Sequence, residues 1–277
     1  MKRVAMVTLA ALVISSATYL AYTYFEGNQA IGKAAVKISD ISERVSFEDL
    51  GPYFAGYKGA FVLFDKNKNE YVIYDEAQSQ QRVSPCSTFK IVNSLIGLET
   101  GVLADENTVF KWDGKQNSIK EWNKDQTMTS AFRNSVVWYY QELASRVGKE
   151  RMQDYLTKLN YGNADMSGGL TKFWLVSSLK ISPLEQVIML RRFYSDELPF
   201  SSRNVDIVKR VMVQQRRDEA VLSGKTGYAG SGLGWFVGYV ERNNNVYFFA
   251  TNAQGKNLGP GKASEITLKI LADRKLF

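Results

Sequence analysis

Gly59-Ala60-Phe61-Val62-Leu63-Phe64-Asp65 and Tyr71-Val72-Ile73-Tyr74 are two short apolar runs separated by Lys66-Asn67-Lys68-Asn69, a cluster of turn formers. The combination predicts a β-hairpin. Moving outward, the pattern turns helical from Ser87 to about Thr100, with Ser84-Pro85 as a start signal and Gly101 as a stop. Further helices are predicted over 130–147, 149–159, 183–194 and 203–216. Strand patterns return at Ala220–Gly224, Leu233–Glu241 and Val246–Asn252, followed by a helical pattern from Ala263 to about Leu271. Strands near both ends with helices between them predict an α/β fold in the loose, α+β sense: a mainly antiparallel sheet from both termini with a helical insertion. The expected division is a linker and first helix over 26–56, an α/β subdomain formed by 57–85 and 213–277, and a helical subdomain over 86–212. A cleft between sheet and insertion is the expected place for a site.

Composition narrows the chemistry. Hydrophobic residues at 45% and charged residues at 23% are those of a globular protein with a substantial core. The net charge is +7, but the basic residues are scattered, and Arg216-Arg217 is followed at once by Asp218-Glu219. A nucleic-acid partner would need a basic stripe, so none is expected. The chain has no histidine, which excludes Ser-His-Asp and Cys-His mechanisms and histidine-based zinc sites. Its one cysteine, Cys86, leaves no intrachain disulfide or thiolate metal cluster, so no metal is expected. A catalytic base must therefore be Lys, Asp, Glu or Tyr.

Lys2-Arg3 precede an uncharged run from Val4 to Phe25. Basic residues before an apolar core are the start of an export signal, and the run is about as long as the ~20 residues that cross a bilayer. The expectation is a signal or anchor helix over 1–25, with the rest of the chain exported. It would be extracytoplasmic, membrane-anchored or secreted, and would touch the membrane through the N-terminal segment only. No signal for an oligomeric state is present.

Ser87-Thr88-Phe89-Lys90 stands at the predicted helix start. Residues three apart share a helix face, so hydroxyl and amine can meet, and a serine needs a neighbouring base to become a nucleophile. Lys90 is the available base. Lys225-Thr226-Gly227 follows a strand-like approach, where a lysine beside small residues suits a substrate carboxylate and leaves it room. Ser135-Val136-Val137 lies inside a helical run, and Tyr161-Gly162-Asn163 is followed by Trp174-Leu175. S-x-x-K paired with K-T-G marks penicillin-recognising serine enzymes.

Together with Phe173-Trp174-Leu175, Lys225-Thr226-Gly227-Tyr228 and Gly234-Trp235-Phe236-Val237-Gly238, these motifs make the chain resemble the class D (OXA-type) serine β-lactamases from about Phe61 onward. Phe110-Lys111-Trp112-Asp113-Gly114 and Trp122-Asn123 are similar to that family as well. The resemblance implies a serine β-lactamase/penicillin-binding-protein-like fold and hydrolysis of a small-molecule β-lactam through a Ser87 acyl-enzyme. It implies Lys90 carboxylated to N6-carboxylysine, with carbon dioxide or bicarbonate the only requirement and no other cofactor. A free lysine near 10.4 is a poor base at neutral pH. Burial lowers that value, and Phe89, Val137, Trp174 and Leu175 are apolar enough to keep a pocket dry.

By the same resemblance, the Trp174 indole holds the carboxylated lysine, and the backbone N–H groups of Ser87 and Tyr228 form the oxyanion hole. Ser135 passes a proton to the lactam nitrogen, and Lys225 and Thr226 orient the substrate carboxylate, with Gly227, Val137 and Trp122 also at the substrate. Lys262 stands where many members have an arginine, which implies a looser carboxylate grip. Two rivals share most motifs. One is the β-lactam sensor domain of signal-transducing receptors, acylated without turnover, which commonly has asparagine where Val137 stands. The other is a penicillin-binding peptidase, in which Tyr161-Gly162-Asn163 is not expected.

Overall fold

The computed structural model describes residues 34–277; the predicted anchor over 1–25 lies outside the described residues. Its strands are β1 Arg44–Phe47, β2 Lys58–Asp65, β3 Glu70–Tyr74, β4 Val109–Phe110, β5 Gln126–Thr127, β6 Val213–Arg217, β7 Ala220–Ala229, β8 Leu233–Arg242 and β9 Asn245–Gln254. The helices of ten residues or more are α1 Lys90–Glu99, α2 Val137–Val147, α3 Lys149–Leu159, α4 Pro183–Tyr194, α5 Ser202–Met212 and α6 Lys262–Asp273. Seven strands form one sheet in the order β1-β3-β2-β9-β8-β7-β6. Among the described residues, only the β1–β3 pair is parallel. The mainly antiparallel sheet assembled from both ends of the chain, with helices from its middle, is thus borne out.

Local chemistry sets the turns. β2 and β3 pair around Lys66–Asn69, where Asp65 Oδ1 accepts from the Lys68 N–H at 3.1 Å and Asn69 turns left-handed. Between β8 and β9, Asn243 and Asn244 both take positive φ, 51° and 55°, as a two-residue hairpin turn with the strands' own twist requires. α4 starts at a capping box: Ser182 Oγ accepts from the Glu185 N–H at 3.2 Å, and Glu185 Oε2 accepts from the Ser182 N–H at 2.9 Å. Pro183 follows at the first helical position, where its missing N–H costs nothing.

The pleat divides the core. Val62, Phe64, Tyr71, Ile73, Trp235, Val237 and Tyr239 face the helical insertion, while Phe61, Leu63, Leu222, Phe236 and Phe249 pack beneath α6 through Ile266, Ile270 and Leu271. Each such side chain contributes about 1.5–3 kcal/mol on burial. Cover on both faces explains why β2 reads as a continuous apolar run.

Three expectations change. Residues 44–47, read as linker, form β1, an edge strand whose Arg-Val-Ser-Phe alternation is only four residues long, too short to stand out. The helix predicted over 203–216 ends at Met212, and 213–217 pairs with β7; its largely exposed Val-Gln-Gln-Arg-Arg has no strand signature. The helix predicted over 130–147 is broken. A short helix, Met128–Arg133, stops, Ser135 takes φ +54°, and α2 begins at Val137. Phe132, Val136, Tyr139 and Tyr140 are buried on both sides of the break, so apolar spacing runs through it unaltered.

Candidate active site

The turn that leads into α1, Cys86–Phe89, is a 3-10 helix. Three residues per turn eclipse side chains at i and i+3, so Ser87 and Lys90 stack, and Lys90 Nζ donates to Ser87 Oγ at 2.9 Å. Ser87 is half-buried, whereas Lys90 is only 1% exposed. The chain enters this turn through Cys86 at φ +50°, a strain of about 1–3 kcal/mol for a residue with a side chain. Hydrogen bonds hold it there. The Cys86 N–H donates to the Trp174 carbonyl at 3.1 Å, Thr88 Oγ1 donates to the Pro85 carbonyl at 2.8 Å, and Gln186 Nε2 donates to Thr88 Oγ1 at 2.9 Å.

One aromatic ring lies over the lysine and others pack together beside its turn. Its Nζ lies 5.0 Å from the centre of the Tyr140 ring, and Phe89 packs on Trp174 with centroids 5.6 Å apart. Burial holds the Lys90 amine well below the ordinary lysine range, and the nearby Lys225 charge pushes the same way. Trp174 is fully buried and its Nε1 has no partner among the described residues. An unpaired buried donor costs about 1–3 kcal/mol, so this indole is set to receive an acceptor. Cys86 is buried and its thiol pushed up to about 11 by burial, the state of a packed thiol.

The second pole is Lys225, within β7 and 3% exposed. Its Nζ donates to Ser135 Oγ at 2.6 Å and also faces the Thr226 carbonyl at 3.2 Å and Thr226 Oγ1 at 3.3 Å. Burial lowers this lysine to about 7. Ser135 meets it from the break ahead of α2. Asn134, one residue earlier, gives its carbonyl to Trp122 Nε1 at 3.0 Å, while the Trp122 carbonyl accepts from Trp138 Nε1 at 2.9 Å. Trp122 thus clasps the segment that presents Ser135, and Val137 is the half-buried first residue of α2.

Gly227 and Lys262 each have close protein neighbours. A Cβ on Gly227 would stand 3.0 Å from the Pro85 carbonyl oxygen, 3.2 Å from Thr88 Cγ2 and 3.2 Å from Trp235 Cβ. The room this glycine leaves is therefore filled by the nucleophile turn. Lys262 opens α6, and its ammonium is taken up by Glu265 Oε1 at 2.7 Å. Tyr228, next to Gly227, is 39% exposed and its hydroxyl donates to the Leu258 carbonyl at 3.2 Å. Sequence reasoning missed Tyr140, Gln186 and Ser84. Gln186 alone carried a signal: a polar residue on the otherwise apolar core face of α4, beside Val187 and Leu190. No group of three or more His, Cys, Asp or Glu side chains that would hold a metal exists among the described residues.

A Ser–Lys pair packed against the strand that carries Lys-Thr-Gly is the site of a penicillin-recognising serine protein, and the penicillin binding protein transpeptidase domain matches residues 59–272. The probable β-lactamase YbxI of Bacillus subtilis is 44% identical over 229 residues, 82% of this chain and 85% of that protein. A crystal structure of a class D β-lactamase from Bacillus subtilis superposes with a TM-score of 0.80 at 43% identity, covering 83% of this chain and 97% of that one. The chain belongs to the class D serine β-lactamases. The regulatory protein BlaR1 of Bacillus licheniformis is 39% identical over 84% of this chain, which spans 40% of that receptor's length.

Proposed function

We propose that this protein hydrolyses penicillin-type β-lactams through a Ser87 acyl-enzyme, with Lys90, carboxylated on Nζ, as general base. The observation that carries the reading is a fully buried amine, 2.9 Å from a half-buried serine hydroxyl and held below its ordinary range by burial. A neutral amine is the form that takes up carbon dioxide, and the unpaired Trp174 indole N–H supplies a donor for the anion. Once bound there, carbon dioxide supplies a carboxylate base; enzymes of this class need no other cofactor.

The remaining steps fall to the chain's own groups. Ser87 Oγ attacks the lactam carbonyl as its proton leaves toward the Lys90 side chain, and the C–N bond opens. Lys225 and Ser135, joined at 2.6 Å, pass that proton on to the lactam nitrogen, which leaves the base free again. Lys225 and Thr226 face the substrate carboxylate, and the backbone N–H groups of Ser87 and Tyr228 hold the oxyanion, each such donor contributing about 3 kcal/mol. Water then cleaves the ester under the same base.

The half-buried, apolar Val137 supports turnover over single acylation, since a polar side chain there would compete for the base. Steady hydrolysis of a chromogenic cephalosporin by the purified chain, rising with added bicarbonate, tests both points. One stoichiometric burst with no turnover would leave a receptor. The basic start and the apolar run over 4–25 support export, with catalysis outside the cytoplasm; fractionation of expressing cells, with activity confined to the cytosol, would reject that part.

A further inference from the structure

We propose that Ser84 is a positioning residue for the Trp174 indole, and through it for carboxylation of Lys90; this rests on the carboxylated-lysine reading above. Ser84 lies three residues before the nucleophile and is 2% exposed. Its hydroxyl is shared between two groups of the facing loop: Oγ donates to the Trp174 carbonyl at 2.9 Å and accepts from the Val176 N–H at 2.9 Å. Its own carbonyl accepts from Trp235 Nε1 at 2.9 Å, which fixes Ser84 to β8. On either side, the Cys86 N–H donates to the same Trp174 carbonyl, and Val83 pairs with Ile181 in both directions.

The loop needs this clamp. Val176 has φ +52° and is 53% exposed. A β-branched residue in that region is an outlier, with no burial of its own to hold it. Trp174 sits two residues earlier, with its indole donor unpaired. Released from Ser84 Oγ, residues 174–176 would relax toward an ordinary backbone and carry the indole away from the place where it waits for an anion. Carboxylation forms one N–C bond between Lys90 Nζ and carbon dioxide, opens one C–O π bond to a carboxylate oxygen, and releases one N–H proton. A misplaced donor weakens the product and not the amine, so the effect appears as a higher carbon dioxide requirement.

The test is a bicarbonate titration of kcat on the wild type, Ser84→Ala, Trp174→Phe and the double variant, with 13C NMR of the labelled lysine. Ser84→Ala is expected to raise the half-saturating bicarbonate about tenfold, the loss of one or two buried hydrogen bonds. It should leave KM at saturating bicarbonate within about twofold. The double variant should be no worse than Trp174→Phe, because residues acting through one another do not add. Ser84→Cys, which keeps the volume but bonds weakly, should move the same way and serves if the alanine variant does not fold. An unchanged bicarbonate requirement in the Ser84 variants, with Trp174→Phe displaced, overturns the role of Ser84 alone. A wild type with no 13C signal and no bicarbonate response overturns the carboxylated-lysine reading itself.

Discussion

Lys90 and Lys225 are a matched pair with opposite surroundings. Both are buried, both are lowered by burial, and each donates to a serine, at 2.9 Å and 2.6 Å. Lys90 has the Tyr140 ring over its amine, with an unpaired indole donor beside the same turn. Lys225 has two further oxygens within 3.3 Å, the Thr226 carbonyl and hydroxyl, and such acceptors favour its charged form. Both amines are eased toward the neutral form by burial, one beside a free donor suited to an anion and the other beside oxygens that can share its proton. The difference is made by neighbours alone, since the two side chains are identical.

Replacing each lysine measures that difference. Lys90→Ala should lower kcat on a chromogenic cephalosporin by about 10³-fold or more, at the upper part of the range for a general base. Lys225→Met should cost less, about 10²-fold in kcat/KM, the scale of losing one partner of a buried charged contact. Steady-state kinetics on both decide the order, and a reversed order would make Lys225 the base.

The stability of Lys225→Met sharpens the same contrast. Lys225 titrates near 7 in the folded chain, against about 10.4 when unfolded. Between those values the unfolded chain binds more protons, so stability rises as pH climbs from about 7 toward 10 and is lowest below 7. Lys225→Met should flatten that rise without abolishing it, because Lys90 is lowered by the same cause and contributes the same sign. Tm measured at pH 6, 7.5 and 9 checks it; an unaltered slope means the amine is not desolvated.

Gly227 joins the two poles, being two residues from Lys225 and in contact range of the Ser87 turn. Gly227→Ala presses a methyl group on the Pro85 carbonyl. The expected result is a loss of about 1–3 kcal/mol in stability, as for other overpacked sites, with kcat down about tenfold as the Lys90 side of the pair shifts. Denaturant unfolding read beside kinetics separates the two.

Much of this was legible in the sequence because it is written in local pattern. The β2–β3 hairpin, α1, α3 and α4 follow apolar spacing and caps, and Ser87 with Lys90 follows from a three-residue interval. What escaped depends on contacts between segments far apart in the chain. Ser135 looked like a residue inside a helix because its left-handed turn leaves the spacing of Phe132, Val136 and Tyr139 intact. At Gly227 nothing local says that Pro85 and Thr88 lie against it. Ser84 looked like a helix start because its two partners are about 90 residues away.

Lys262 gives the smallest expected effect, and it asks whether a third cation belongs with the other two. From the sequence it replaces an arginine as a carboxylate clamp. In the structure it is the first residue of α6, a quarter exposed, with its ammonium 2.7 Å from Glu265 Oε1. An ammonium is a point charge, and sharing it with a carboxylate on its own helix leaves less of it for a ligand. Exposed pairs of this kind stabilise by about 0–1 kcal/mol, so breaking it should hardly alter Tm. Lys262→Ala should then raise KM for a penicillin less than about twofold, and Glu265→Gln, which frees the ammonium, should lower KM slightly. A large KM increase in Lys262→Ala would mean that the lysine leaves Glu265 when substrate arrives, and that carboxylate recognition is divided between β7 and α6.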